Sequence, residues 1–344
     1  MKITRVRAIP MSDPVPKERQ HRTDLGTKVK SDATLILVET DKGLTGMGAA
    51  LGTPPVVAAI VEHELAPDVV GEDPMFSERI WEKMFALTMA QGDRKNLLEA
   101  IACVDCAIWD LIGKATNRSV RQLLGGYRNE LPIISIGGYY VDGKKLSDYG
   151  REVESYRKAG MAGCKFKVGG LTPEEDFKRV QAARKAVGDD FIIVVDANRG
   201  WGAQDAIKFS HLIEPLNITW FEEPCHWHDD AALMARVRRA THIPVTAGQS
   251  EITSTGVRRM LDAGAVDYVN YDVSECGGIT DWRRAAALCH ASSVRMAHHE
   301  EAQVARHLLS AVPHGTYLEC FADPERDPIW QRMWLSRPAI KNGI

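Results

Sequence analysis

The sequence predicts an α/β protein: an eight-stranded (β/α) barrel of the TIM type, preceded by a smaller α+β unit. Three observations carry this prediction. From "LPIISIGGYY" at Leu131 onward, short β-rich runs alternate with amphipathic segments of helical length. Before that point, strand-like runs lie close together and helices follow them. The later runs also end, almost without exception, in polar or charged residues, and a TIM barrel keeps its active site at the C-terminal ends of its strands.

At 344 residues the chain is long enough for two units. Hydrophobic residues make up 44% and charged residues 26%, so there is material for a full core. The formal net charge of -3 supplies no general basic field, which excludes nucleic acid as the expected partner. "MKITRVRAIPM" alternates like a strand instead of carrying a signal-peptide apolar run, and no stretch of about 18 apolar residues could span a bilayer. A cytoplasmic protein acting on a small molecule, with no membrane partner, is expected.

In the first unit, "ITRVRAIPM", "DATLILVETD" and "GLTGMGAAL" read as strands, the last two joined by the turn "DKG". Helical patterns follow from Val56 to Leu65 and from Phe76 to Phe85. The seven cysteines are scattered; the close pair Cys103 and Cys106 sits in a helical apolar pattern with no second pair to complete a zinc site, and reads as core. After "LPIISIGGYY" the remaining strand runs are "CKFKVGG", "FIIVVDAN", "ITWFEEP", "IPVTAGQSE", "VDYVNYDVS", "VRMAHH" and "TYLECF". Segments such as "EEDFKRVQAARKAVG" separate most of them.

Strand residues alternate faces, so Lys165 and Lys167 point together into the barrel while Phe166 faces the surrounding helices. Like charge and burial both depress a lysine's pKa, which makes a base near neutral pH the expected use. The next three strands end in Asp196 with Asn198, Glu222 with Glu223, and Gln249 or Glu251. Oxygen ligands converging from adjacent strand ends suit a hard divalent cation such as Mg²⁺. Across the cavity come Asp272, His299 and Glu319; an aspartate beside a histidine fixes its tautomer and raises its basicity. His298 lies one strand step away on the opposite face, and "HHEEA" lacks the spacing of a zinc protease.

In this order the residues resemble the enolase superfamily, specifically its mandelate racemase subgroup. The resemblance rests on K-x-K at Lys165 and Lys167, D-x-N at Asp196 and Asn198, the "EEP" glutamate Glu222, Asp272 with Gly277 and Gly278, then His299 and Glu319. It implies an α+β capping domain over residues 1–126, a modified TIM barrel over 127–322, and a segment over 323–344 that returns to the cap. It also implies Mg²⁺ held by Asp196, Glu222 and a third ligand. The third position, normally a glutamate after a glycine, is here Gln249; Glu251, two residues on, is preferred as the ligand with Gln249 the alternative.

By the same resemblance Lys167 is a base on one face of the substrate, tuned by Lys165. His299, paired with Asp272, is the acid or base on the other face. Glu319 hydrogen-bonds a substrate carboxylate oxygen and Asn198 lies near metal or substrate. The loops "PVPKERQHRTDLGTKVK" and "ALGTPP" are expected to select the substrate, with His21 and Arg22 among the binding residues. They hold few aromatic residues, which favours a hydroxy or sugar acid over mandelate. Dehydration of a sugar acid to a 2-keto-3-deoxy acid is the expected reaction, with racemisation, epimerisation or cycloisomerisation as the alternative. A Schiff-base aldolase using Lys167 and a non-catalytic binding barrel are the remaining readings. "FALTMAQGDRKNLLEA" is shorter than the subgroup implies, and "RPAIKNGI" lacks its glycine-rich tail. A symmetric homo-oligomer is also expected.

Overall fold

The structure is a computed structural model and describes residues 1–89, 94–226 and 230–323. The N-terminal unit contains β1 (Ile3–Pro14), β2 (His21–Thr23), β3 (Gly26–Lys28), β4 (Lys30–Thr40) and β5 (Thr45–Ala50). β1, β4 and β5 form an antiparallel sheet in that order, with Ile3 opposite Thr40 and Pro14 opposite Lys30. Helices Pro54–Ile60, Ser77–Ala86 and Arg94–Thr116 share one apolar core with it through Ile36, Val38, Ile101, Val104 and Ile108. β5 lies directly on the last of these helices. A Cβ on Gly46 or Gly48 would stand 2.0 Å from the carbonyl oxygen of Ala107 or Cys103, so no side chain fits at either position.

The barrel follows the expected pattern. Its strands are β6 (Ile133–Gly137), β7 (Gly163–Lys167), β8 (Ile192–Asp196), β9 (Phe221–Glu222), β10 (Val245–Ala247), β11 (Tyr268–Val269), β12 (Arg295–Met296) and β13 (Leu318–Cys320). They pair in parallel in chain order, and β13 returns to lie beside β6. A parallel bridge between Met296 and Gly315 closes the ring, with hydrogen bonds from Met296 N to His314 O and from Thr316 N to Met296 O.

The local signals of the connecting helices are explicit. In Pro173–Val187, Thr172 caps Glu175 N, Glu175 reaches back to Thr172, and Pro173 stands at the first turn with Glu174 and Asp176. Arg184 and Lys185 occupy the last turn before Gly188, whose φ is +73°. Phe166 faces outward and packs on Tyr149 of the helix after β6, as alternation predicts. Inside the barrel, Trp220, Val194, Ile134 and Tyr268 fill its inner end.

The cap is seated by buried polar contacts. Trp81 Nε1 donates to Gly277 O at 2.6 Å, and Trp109 Nε1 to Thr280 Oγ1 at 3.0 Å. Asp105 accepts from Thr280 N and Oγ1 at 2.8 and 2.7 Å. β2 and β3 form a hairpin within the stretch read from sequence as a loop. It reaches the barrel through an antiparallel bridge between Arg22 and Tyr140. Three-residue strands are too short for alternation to reveal, and the turn depends on Gly26 at φ +119°.

Cys103 and Cys106 are buried and unbridged, as their helical pattern implies. Among the described residues no helix is long and apolar enough to cross a membrane. The expected return of the chain's end to the cap lies outside the described residues, as does the centre of "FALTMAQGDRKNLLEA".

Candidate active site

A cavity of about 390 Å³ lies between the hairpin and the C-terminal ends of the barrel strands. His21 and Lys28 line it from the hairpin; Lys167, Asn198, Gln249 and His299 line it from the barrel.

Lys165 and Lys167 enter from β7 on one face, and both are buried. Lys165 Nζ lies 2.7 Å from Glu319 Oε2, 3.1 Å from Glu222 Oε1 and 3.7 Å from Asp196 Oδ2. Lys167 Nζ donates to Asp196 Oδ2. The expectation of depressed lysine pKa values is corrected here. Burial does act against both charges, but Glu222, Glu319 and Asp196 around Lys165, and Asp196 beside Lys167, outweigh it. Both ammonium groups are held above the ordinary lysine range. Asp196 shows the converse: burial opposes its charge, yet Lys167 and Lys165 bring it down to about 2.

Glu222 is anchored at both oxygens, by Lys165 and Asn270 Nδ2 on Oε1 and by Trp220 Nε1 at 3.1 Å on Oε2. Burial, reinforced by Asp196 and Glu319, raises it to about 8 despite Lys165. Glu223 turns elsewhere and accepts from Arg199 Nη2 at 2.9 Å, so only the first glutamate of "EEP" faces Asp196.

Gln249 lines the cavity, whereas Glu251, the ligand preferred from the sequence, is turned away from it. β10 stops at Ala247, Gly248 turns the chain at φ +132°, and Glu251 N donates to Gly248 O. Strand alternation has already ended, so the same-face argument does not reach Glu251. Its carboxylate instead covers Gly256, where a Cβ would stand 1.8 Å from Oε2, and lies 3.7 Å from Arg259.

On the other wall, His299 Nδ1 donates to Asp272 Oδ2 at 2.7 Å, and Asp272 Oδ1 accepts from Ser274 N and Oγ. Glu275 Oε1 lies 4.0 Å from His299 Nδ1 and Glu300 Oε1 lies 3.8 Å from Nε2. Burial works against a charged imidazole, but the Asp272 hydrogen bond and Glu300 raise it to about 10. His298 has a different role: Nε2 accepts from Val273 N, and Nδ1 contacts His299 O at 2.8 Å, which fixes it as a neutral framework residue.

Glu319 Oε2 accepts from Lys165 and from Glu300 N, while Oε1 is buried without a partner. Asn198, at φ +45°, lines the cavity with Oδ1 likewise buried and unpartnered. Of the two hairpin residues, His21 lines the cavity edge-on to Tyr139. Arg22 does not: its guanidinium lies over the Tyr140 ring, 4.8 Å from the centroid.

Comparison with known proteins places this geometry. Residues 6–125 match the N-terminal domain of mandelate racemase / muconate lactonizing enzyme, and residues 148–344 match the enolase C-terminal domain-like family. The chain belongs to the mandelate racemase / muconate lactonizing enzyme family. Relatives include D-galactarolactone cycloisomerase of Agrobacterium fabrum, 33% identical over 77% of this chain and 70% of that one. Arabinonate dehydratase of Saccharolobus solfataricus is 34% identical over 71% of this chain and 66% of its own length. A family member from a marine actinobacterium, solved in complex with magnesium, is 43% identical with a TM-score of 0.89, covering 99% of this chain and 92% of that one.

For a member of this family, the donor set here fits a hard divalent cation. Asp196 and Glu222 already close on one positive charge, the Lys165 ammonium, and Asn198 Oδ1 and Glu319 Oε1 are oxygens without partners. Asn270, Glu275 and Glu300 were not singled out in the sequence. Asn270 could have been found, since it precedes Asp272 by two residues at a strand end; Glu275 and Glu300 come from turns with no such signal.

Proposed function

We propose that this protein catalyses magnesium-dependent removal of the proton α to the carboxylate of a sugar acid, followed by loss of the β-hydroxyl to give a 2-keto-3-deoxy acid. The observation that carries this is the asymmetry of the two walls. β7, which bears Lys167, and β12, which precedes His299, are separated by β6 and β13 on one side and by four strands on the other. The two groups therefore approach a bound substrate from different faces. Asp272 at Nδ1 and Glu300 near Nε2 favour a protonated His299, so it begins as an acid.

Lys167 takes the α-proton. The β carbon–oxygen bond then breaks as His299 gives its proton to the departing hydroxyl, releasing water and an enol that tautomerises to the 2-keto acid. Asp196, Glu222 and the Gln249 amide oxygen would hold magnesium, which would supply polarisation of the substrate carboxylate and a positive charge to offset the acidic groups that otherwise retain the Lys167 proton. Lys165 and Glu319 orient that carboxylate from β7 and β13, and Asn198 and His21 bound the remainder of the substrate. The magnesium in the actinobacterial structure and the sugar-acid chemistry in the relatives' names support this reading.

Racemisation or epimerisation uses the same walls, with His299 returning a proton to the α-carbon, and the cycloisomerase relative keeps isomerisation as the second reading. The test is a screen of hexonates, aldarates and pentonates with Mg²⁺, following 2-keto acid and, separately, loss of optical rotation. A 2-keto product abolished by EDTA is the expected result. Turnover unaffected by EDTA removes the metal-dependent reading, and no magnesium binding at millimolar concentration leaves a non-catalytic barrel.

A further inference from the structure

One carboxylate on the His299 side has no part in the proton transfers or the metal centre. Glu275 follows β11 in the turn that carries Ser274, and it lines the cavity. Its Oε2 accepts from Lys95 Nζ at 2.9 Å, and its main-chain oxygen accepts from the same nitrogen at 3.3 Å. Lys95 belongs to the cap helix Arg94–Thr116 and also pairs with Glu99 Oε1 at 3.0 Å. The three donors of the ammonium are thus spent at one junction, and the cap fixes the Glu275 side chain from behind. Oε1 remains 4.0 Å from His299 Nδ1, beyond hydrogen-bonding distance of a nitrogen that already donates to Asp272.

We infer that Glu275 selects a polyhydroxy monocarboxylate over the dicarboxylate of the same skeleton. An ionised carboxylate accepts hydrogen bonds and offers none. Oε1 therefore takes a substrate hydroxyl, and a second carboxylate brought to the same place meets like charge instead. Discrimination by an unfavourable contact of this kind is what separates two ligands that share every other group. Lys95 is a positioning residue that acts through Glu275 and touches no substrate. The inference rests on the sugar-acid reading of the cavity and narrows its substrate class.

The test uses matched pairs that differ only at the terminal carbon: D-gluconate with D-glucarate, D-galactonate with galactarate, and D-mannonate with D-mannarate. Binding is measured by titration calorimetry in Mg²⁺, and steady-state kinetics are recorded beside it. The wild-type protein is expected to bind the monoacid of its preferred pair at least about tenfold more tightly than the diacid. Glu275→Gln is expected to bring that ratio below about threefold, chiefly through tighter binding of the diacid, since the amide oxygen still accepts the monoacid's hydroxyl. Lys95→Met is expected to do the same, with kcat changed less than KM, and Lys95→Arg to restore the ratio. Should Lys95→Met fail to fold, the Glu275→Gln ratio decides.

A wild-type preference for the diacid, a ratio unchanged in Glu275→Gln, or binding of neither class overturns the inference. Binding with the expected ratio but no 2-keto acid and no α-proton exchange supports selection by Glu275 while removing the dehydration reading. The two failures are thereby distinguishable.

Discussion

Asn270 holds Gln249 from two directions: its Oδ1 accepts from Gln249 N at 3.1 Å, and its Nδ2 lies 3.4 Å from Gln249 Oε1. The same Nδ2 donates to Glu222 Oε1 at 2.9 Å, so one buried amide aligns two of the proposed ligands. Gln249→Glu adds a carboxylate where a neutral oxygen now stands, and is expected to tighten Mg²⁺ by about tenfold or more. Asn270→Ala is expected to weaken it roughly 10- to 100-fold, the usual effect of removing a partner of the ligands. Glu251→Gln is expected to change it little. Calorimetric titration of all three variants checks the assignment, and a large loss confined to Glu251→Gln would return the third ligand to that residue.

Removing either proton-transfer group should stop net dehydration, with losses of roughly 10²- to 10⁴-fold or more in kcat. The two variants should differ in D₂O. His299→Asn leaves Lys167 in place and should still exchange the substrate α-proton, whereas Lys167→Ala should not. Nuclear magnetic resonance of recovered substrate reads the difference, and the reverse pattern exchanges the two roles.

The acid role of His299 predicts loss of activity on the alkaline side as the imidazolium titrates. Although burial acts against that charge, Asp272 and Glu300 lift the group to about 10. Glu300→Gln removes one supporting negative charge and lowers the value, so the alkaline limb of the kcat profile should move to lower pH, by roughly half to one pH unit. An unchanged limb would detach Glu300 from His299.

Asp105 supplies a stability prediction. Burial raises its pKa from 3.8 to about 7 against the two hydrogen bonds from Thr280. A carboxyl whose folded value lies above its unfolded one contributes fully below the unfolded value, and that contribution is lost as pH rises through the folded value. Wild-type stability should therefore fall between about pH 4 and pH 7, by on the order of 2 to 4 kcal/mol from this group alone. Asp105→Asn should flatten that fall, as measured by denaturant unfolding across the range at one fixed metal concentration. A slope identical to wild type would remove Asp105 as its source.

Residues borne on the strands, or shortly past strand ends, were legible in the sequence. Alternation turns Lys165 and Lys167 to one face, and the order of strand ends brings Asp196, Glu222, Asp272, His299 and Glu319 toward one mouth. The same rule does not extend to Glu251, because β10 ends four residues earlier and a turn intervenes. It also misjudged the lysines, since alternation tells which way an ammonium points but not that three carboxylates from β8, β9 and β13 will gather around it. Arg22 and the hairpin were obscured for another reason: the bridge to Tyr140 joins residues more than a hundred positions apart, and neither strand is long enough to announce itself. Glu275 is held by Lys95, across the junction between the two units.

The glycine face of β5 has a consequence for the far end of the helix it touches. Because Gly46 and Gly48 leave no slack against Ala107 and Cys103, helix Arg94–Thr116 is indexed to the cap sheet as a shaft is to its bearing. Lys95 stands eight residues from Cys103 along that shaft, roughly 12 Å. A bulkier residue at the bearing therefore displaces the ammonium that grips Glu275, and the choice of substrate can be retuned from a position that never meets one.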